Sequence, residues 1–226
     1  MAGHAVNATA ACGDGVDIQW HHLASLMPSN QMILRKPSQF FGIIGTTWRR
    51  VPCMNEGLED ILAERLAVIF CGINPGLLAA AQGHHFAGRG NRFWRTLHLA
   101  GFTPHQVRPE DDRTLLQHHC GLTTVVERPT ARADQLSQEE FKAAAEGFEN
   151  KIRRYAPRYV AFLGKAGYCA LSGRREVAWG LQSRTLGDAA VWVLPNPSGR
   201  NLAFNLEQLV EAYGQLYLAA LPNIDG

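Results

Sequence analysis

The sequence predicts an α/β fold, a three-layer α/β/α sandwich around a mostly parallel central sheet. Three observations predict it. Short, continuous apolar runs at residues 67–71 (AVIFC), 159–163 (YVAFL) and 190–194 (AVWVL) have the length and two-sided hydrophobicity of buried parallel strands. Segments with helical spacing of apolar residues lie between them, so strand and helix alternate along the chain. The first and last of these runs lead into Asn-Pro loops, and an open α/β sheet carries its functional loops beyond the carboxyl ends of its strands.

The elements follow in order. Residues 1–53 have no sustained periodicity and carry Trp20, His21, His22 and Trp48 among Pro, Ser and Gly, so they are expected to be an atypical, poorly ordered N-terminal extension. Regular patterning begins at Met54, an expected natural start, and residues 54–226 are expected to form the functional domain. After the 67–71 strand, residues 91–100 place Phe93, Trp94, Leu97 and Ala100 at helical spacing and stop at Gly101. A short helix is predicted over 111–119 and a second strand over 121–126. Ser137 with Glu140 three residues on forms a capping box that opens a helix to about Tyr155, and Pro157 ends it. The 159–163 strand, a helix over 165–172, the 190–194 strand and an amphipathic helix over 206–221 complete the chain.

Composition narrows the function classes. The chain has 226 residues, 46% hydrophobic and 19% charged, as an ordinary soluble domain does. No apolar run reaches the roughly 20 residues of a membrane-spanning helix, and the first residues lack the basic, apolar, small-residue order by which a secretory signal would be expected. Cys12, Cys53, Cys71, Cys120 and Cys169 are widely spaced with no CxxC pair, as expected of reduced thiols in the cytoplasm. The formal charge is +2, and residues 54–226 are balanced once Arg35, Lys36, Arg49 and Arg50 are set against Asp14 and Asp17. Nucleic-acid binding would therefore need a local basic patch.

The chemistry-bearing residues concentrate in strand-end loops. Residues 72–76 (GINPG) follow the first strand; two glycines allow a tight turn and a close approach to a ligand, while Pro75 fixes φ. Alone, this is a plain turn. Residues 195–199 (PNPSG) follow the fourth strand in the same manner, so two Asn-Pro turns are expected at neighbouring ends of the sheet. Between them, residues 83–94 (GHHFAGRGNRFW) are glycine-rich, carry Arg89 and Arg92, and put Phe86 in a polar setting.

In order, the GINPG loop, the GHHFAG-GNRFW segment, Glu127-Arg128-Pro129-Thr130, the Gly164-Lys165 turn and NPSG resemble the mismatch-specific uracil-DNA glycosylase and thymine-DNA glycosylase family. The likeness covers roughly residues 58–221. It implies a monofunctional enzyme that needs no cofactor: a monomer on double-stranded DNA everts a uracil or thymine mispaired with guanine and hydrolyses its N-glycosidic bond. By the same resemblance, Asn74 positions the attacking water, with Thr123 near it. Gly72, Ile73, Gly76, Ala79, His85, Phe86 and Asn196 surround the base, Phe86 stacking on it. Residues 72–76 hold no carboxylate, and asparagine orients water without taking its proton, so leaving-group stabilisation by backbone N–H groups and His85 is expected to dominate. Ala79 leaves room for the thymine C5-methyl, and exocyclic cytosine adducts fit the same pocket. Ser198, Gly199, Arg200, Asn201 and Leu202 form the wedge segment, with Arg200 or Leu202 as the plug, and Lys165 meets a phosphate.

Other readings stay open at this point. A mismatch-binding protein with negligible turnover would share the pocket and lack a strong base. A nucleotide-binding α/β enzyme would need GxGxxG or GxxxxGK[ST], and neither is present. No metal is expected, since adjacent His84 and His85 do not readily converge on one ion. Trp94, Trp179 and Trp192 are expected in the core.

Overall fold

The computed structural model describes residues 57–220, together with the backbone of β1 (Phe41–Ile44) and β2 (Thr47–Arg50). The two short strands pair antiparallel, Phe41 opposite Arg50, within a first unit, Met1–Val51. The sequence reading placed no strand in this stretch. Otherwise the expected poor order of that segment, the start at Met54, and Cys12 and Cys53 lie outside the described residues. The second unit, Pro52–Gly226, begins close to the change in sequence pattern.

That unit is built on β3 (Val68–Gly72), β4 (Cys120–Thr124), β5 (Tyr159–Leu163), β6 (Gly180–Leu186) and β7 (Ala189–Leu194). Their order across the sheet is β4-β3-β5-β7-β6; the first four are parallel and β6 runs antiparallel to β7. Side chains alternate between the faces, as a pleated strand requires. Val68 and Phe70 enter one hydrophobic cluster, Ile69 and Cys71 the other; Ala161 and Leu163 oppose Val160 and Phe162 in the same way.

Helices cover both faces, giving the three layers. On the first, α2 (Phe93–Leu99) and α5 (Leu206–Ala220) bury Phe93, Leu97, Leu209, Tyr213 and Leu216. Phe70 is central there, edge-on to Phe93 and Phe102 at 5.6 and 5.2 Å and stacked at 6.2 Å on Tyr213. On the second face, α3 (Gln138–Tyr155) and α4 (Lys165–Ser172) bury Phe141, Phe148, Ile152 and Tyr168. Each such side chain contributes about 1.5–3 kcal/mol on burial. The capping box opens α3 as expected: Ser137 Oγ accepts from Glu140 N, and Glu140 Oε2 from Ser137 N.

Three elements depart from expectation. The edge strand β6, Gln- and Arg-bearing and largely exposed, lacks the apolar run of a central strand; it closes through the hairpin at Gly187, φ 59°. The six-residue α1 (Leu77–Gln82) is too short for periodicity to mark. The segment read as a helix over 111–119 is a 3-10 helix, Pro109–His118, kinked at Asp111 (φ -102°, ψ 17°). Among the described residues, no helix is long and apolar enough to cross a membrane.

Candidate active site

Parallel pairing places the loops after β3, β4, β5 and β7 along one edge of the sheet. The loop after β3 is sewn to the loop after β4 by main-chain bonds: Val125 N to Gly72 O, Val126 N to Ile73 O and Thr130 N to Pro75 O, each 3.0 Å. Gly76 continues this as a parallel bridge to Thr130 and N-caps α1. Inside the seam, Asn74 Nδ2 donates to Arg128 O at 2.8 Å and to Thr130 Oγ1 at 2.7 Å. A carbonyl can only accept, so the amide orientation is determined: nitrogen inward, Oδ1 outward. The Thr130 hydroxyl in turn donates a hydrogen bond to Arg132 O at 2.8 Å. Oδ1 has no hydrogen-bond partner among the described residues and is free to accept one from a water. Arg128, whose carbonyl holds Asn74, is itself held by a two-point fork to Glu140 at 2.6 and 3.1 Å, and that pairing draws the Glu140 carboxyl down to about 2.

Phe86 lies at the root of this loop. A Cβ built on Gly72 would sit 3.8 Å from its ring, so the glycine leaves the aromatic room to approach the β3 end. The ring stacks on Phe93 at 4.0 Å and is half-buried. Its backbone is left-handed, φ 56°. His85 is 2% exposed, and its Nε2 lies 3.0 Å from Glu59 O. Burial lowers its pKa, partly offset by the bond to the Glu59 carbonyl. The expected free imidazole for an anionic leaving group is thus not offered at Nε2. Ala79 is buried in α1, and its carbonyl accepts from His84 N.

The second Asn-Pro loop sits beyond β7, with β5 between it and the first, so the two turns share an edge without being neighbours. Two strand spacings separate them by about 10 Å. Gly164, at φ 109° on the end of β5, carries Asn196 directly above it: a Cβ there would lie 3.4 Å from Asn196 Cβ. Asn196 Oδ1 accepts from Ser198 N, and its Nδ2 has no partner among the described residues. Arg92, to which sequence patterning gave no role, organises this loop. Its guanidinium donates to the carbonyls of Pro197, Ser198, Asn201 and Phe204, and its backbone N to Pro197 O. Gly199 packs on Gly90, where a Cβ would come within 2.5 Å of the Gly90 carbonyl. Leu202 stands 92% exposed at the loop's crest, while Arg200 Nη1 is tied to Ala131 O at 3.1 Å.

Other placements differ from expectation. Thr123 is fully buried in β4; its hydroxyl donates to Asp60 at 2.7 Å and lies 3.4 Å from Lys151, which pairs with Asp60 at 2.6 Å. It is committed there, and the threonine beside Asn74 is Thr130. The Glu-Arg-Pro-Thr stretch was the available signal, but only the fold assigns it this contact. Lys165 opens α4 with Nζ 4.6 Å above the ring of Trp179, which is 43% exposed and not in the core. Trp94 and Trp192 are buried as expected.

The family model for the uracil DNA glycosylase superfamily matches residues 60–216. The fold is similar to the solution NMR structure of a Methanosarcina acetivorans protein described as a candidate uracil DNA glycosylase. That likeness has a TM-score of 0.50 and 20% identity, covering 72% of this chain and 98% of that one. The family match takes in every strand of the five-stranded sheet and all four strand-end loops. The chain belongs to the uracil DNA glycosylase superfamily.

Proposed function

We propose that the protein is a monofunctional DNA glycosylase that removes uracil, and more slowly thymine or exocyclic cytosine adducts, from mispairs with guanine. It acts as a monomer on double-stranded DNA. The everted pyrimidine stacks on Phe86, and water held by Asn74 Oδ1 adds its oxygen to the sugar C1′ as the N-glycosidic bond breaks. The electron pair leaves with the base, and the water's proton passes to solvent or to the departing anion. With no carboxylate in residues 72–76, rate depends on stabilising that anion, for which Asn196 Nδ2 has hydrogens to give. Leu202 is the wedge, Ser198, Gly199, Arg200 and Asn201 flank the orphaned guanine, and Lys165 meets a phosphate. Buried Ala79 belongs to the wall that admits a C5-methyl.

The observation that carries this reading is the orientation of Asn74, its donors consumed and its acceptor left for water. Single-turnover assays on duplexes with uracil, thymine or 3,N4-ethenocytosine opposite guanine or adenine test it, scored by alkaline strand cleavage. Uracil opposite guanine is expected to be cut fastest. Equal rates opposite adenine would remove mispair recognition, and background thymine cleavage the thymine activity. A mismatch binder without turnover is the competing reading, favoured only by the missing carboxylate; it requires mispair binding with no product at all.

A further inference from the structure

We infer that Asp112, on the 3-10 helix and distant in sequence from every strand-end loop, is a positioning residue for Phe86. The inference rests on the proposed role of Phe86 as the surface that receives the everted base. Phe86 holds a left-handed backbone, φ 56°, that L-residues rarely adopt and that persists where surrounding structure over-determines it. Here that determination is applied one residue earlier. The His85 N–H donates to Asp112 Oδ2 at 3.0 Å, its carbonyl accepts from Trp94 Nε1 at 3.0 Å, and its Nε2 is 3.0 Å from Glu59 O.

These partners come from three separate places: the 3-10 helix, α2 and the segment before β3. Residue 85 is pinned from three sides, and the chain leaving it must turn Phe86 onto Phe93 and against Gly72.

Asp112 is the charged member of the three. It is 4% exposed, and His84 Nδ1 lies 3.5 Å from the same oxygen that His85 N–H reaches. A carboxylate so buried is tolerated when it accepts hydrogen bonds, and a bond from N–H to an ionised oxygen is stronger than a neutral one. Leu115 anchors the 3-10 helix in the core, and Phe93 and Leu97 anchor α2, each fully buried. The clamp therefore ties the aromatic loop to helices that have apolar anchors of their own.

A double-mutant cycle with Phe86→Ala tests this in the full chain, with single-turnover removal of uracil opposite guanine as one readout. Asp112→Ala is expected to slow removal about tenfold to a hundredfold, the cost of misplacing a group by about 1 Å. Asp112→Asn keeps an acceptor oxygen for His85 N–H and should restore most of the rate. In the Phe86→Ala background, Asp112→Ala should cost little further, because residues acting as one unit are non-additive. Equal losses in both backgrounds overturn the inference. Amide hydrogen exchange at His85, followed by NMR, gives a readout apart from activity: faster in Asp112→Ala, unchanged in Asp112→Asn. Unaltered exchange in Asp112→Ala also overturns it. Should Asp112→Ala not fold, Asp112→Glu, which keeps the charge and displaces the oxygen, enters the same comparison. If the unsubstituted protein removes no uracil, the proposed function falls, and His85 exchange alone decides whether Asp112 holds this loop.

Discussion

The guanidinium of Arg92 donates a 2.9 Å hydrogen bond to the carbonyl of Asn201, 109 residues further along the chain. With its bonds to Pro197, Ser198 and Phe204, this one cation gathers four carbonyls of the loop after β7. It explains how a loop can hold Leu202 almost fully in solvent and still be shaped.

Arg92→Lys should therefore loosen the wedge without unfolding the domain. An ammonium has no planar fork to span four acceptors. A stability loss of about 1–3 kcal/mol is expected from the carbonyls left unserved, with weaker affinity for an abasic product duplex. Thermal denaturation and fluorescence anisotropy measure the two effects; unchanged affinity would separate Arg92 from the wedge.

Asn74→Ala should lower the single-turnover rate by about a hundredfold or more, equivalent to about 2.7 kcal/mol in the barrier, with mispair affinity retained. Asn74→Asp should not rescue it. One carboxylate oxygen would replace the N–H now 2.8 Å from Arg128 O, and two acceptors face to face favour the protonated acid. A fast Asn74→Asp enzyme at neutral pH would contradict the observed amide orientation.

Leu202→Ala should slow capture of a mispair more than Arg200→Ala does. Leu202 is 92% exposed, and its burial in a duplex would contribute about 1.5–3 kcal/mol, roughly tenfold to a hundredfold in rate. Arg200 instead braces the loop against Ala131. Rates at enzyme concentrations below saturation make the comparison, and the reverse ranking would make Arg200 the plug.

Acidification should destabilise the aromatic loop through His85. Burial lowers its pKa from the ordinary 6.5, so the unfolded chain binds the proton more readily. Its contribution is present above pH 6.5 and is lost as pH falls toward and through the depressed folded value. Denaturant midpoints measured from pH 7.5 down to 5 should decline, with a smaller decline in His85→Gln. Identical slopes would remove His85 as the source.

Much of this was legible in the chain. Residues 67–71, 159–163 and 190–194 lie between two hydrophobic layers, and that double burial is written as uninterrupted apolar sequence. Ser137 and Glu140 announced the start of α3 because a capping box is made by neighbours. The edge strand β6 was not legible, since a strand half in solvent needs no apolar run. Trp179 was misplaced for a related reason: hydrophobicity ranks it with the core, but the Lys165 ammonium and the edge of Phe204 claim its ring.

Local composition determined the alternating layers, the strand-end loops and the residue types within them, because periodicity and turn chemistry act over a few positions. Only the tertiary structure decided the partners. That Asn74 meets Thr130 and not Thr123, that β5 separates the two Asn-Pro turns, and that Asp112 and Arg92 each hold a loop all depend on bonds between distant residues. Such bonds follow from strand order and register, which no short stretch of sequence contains.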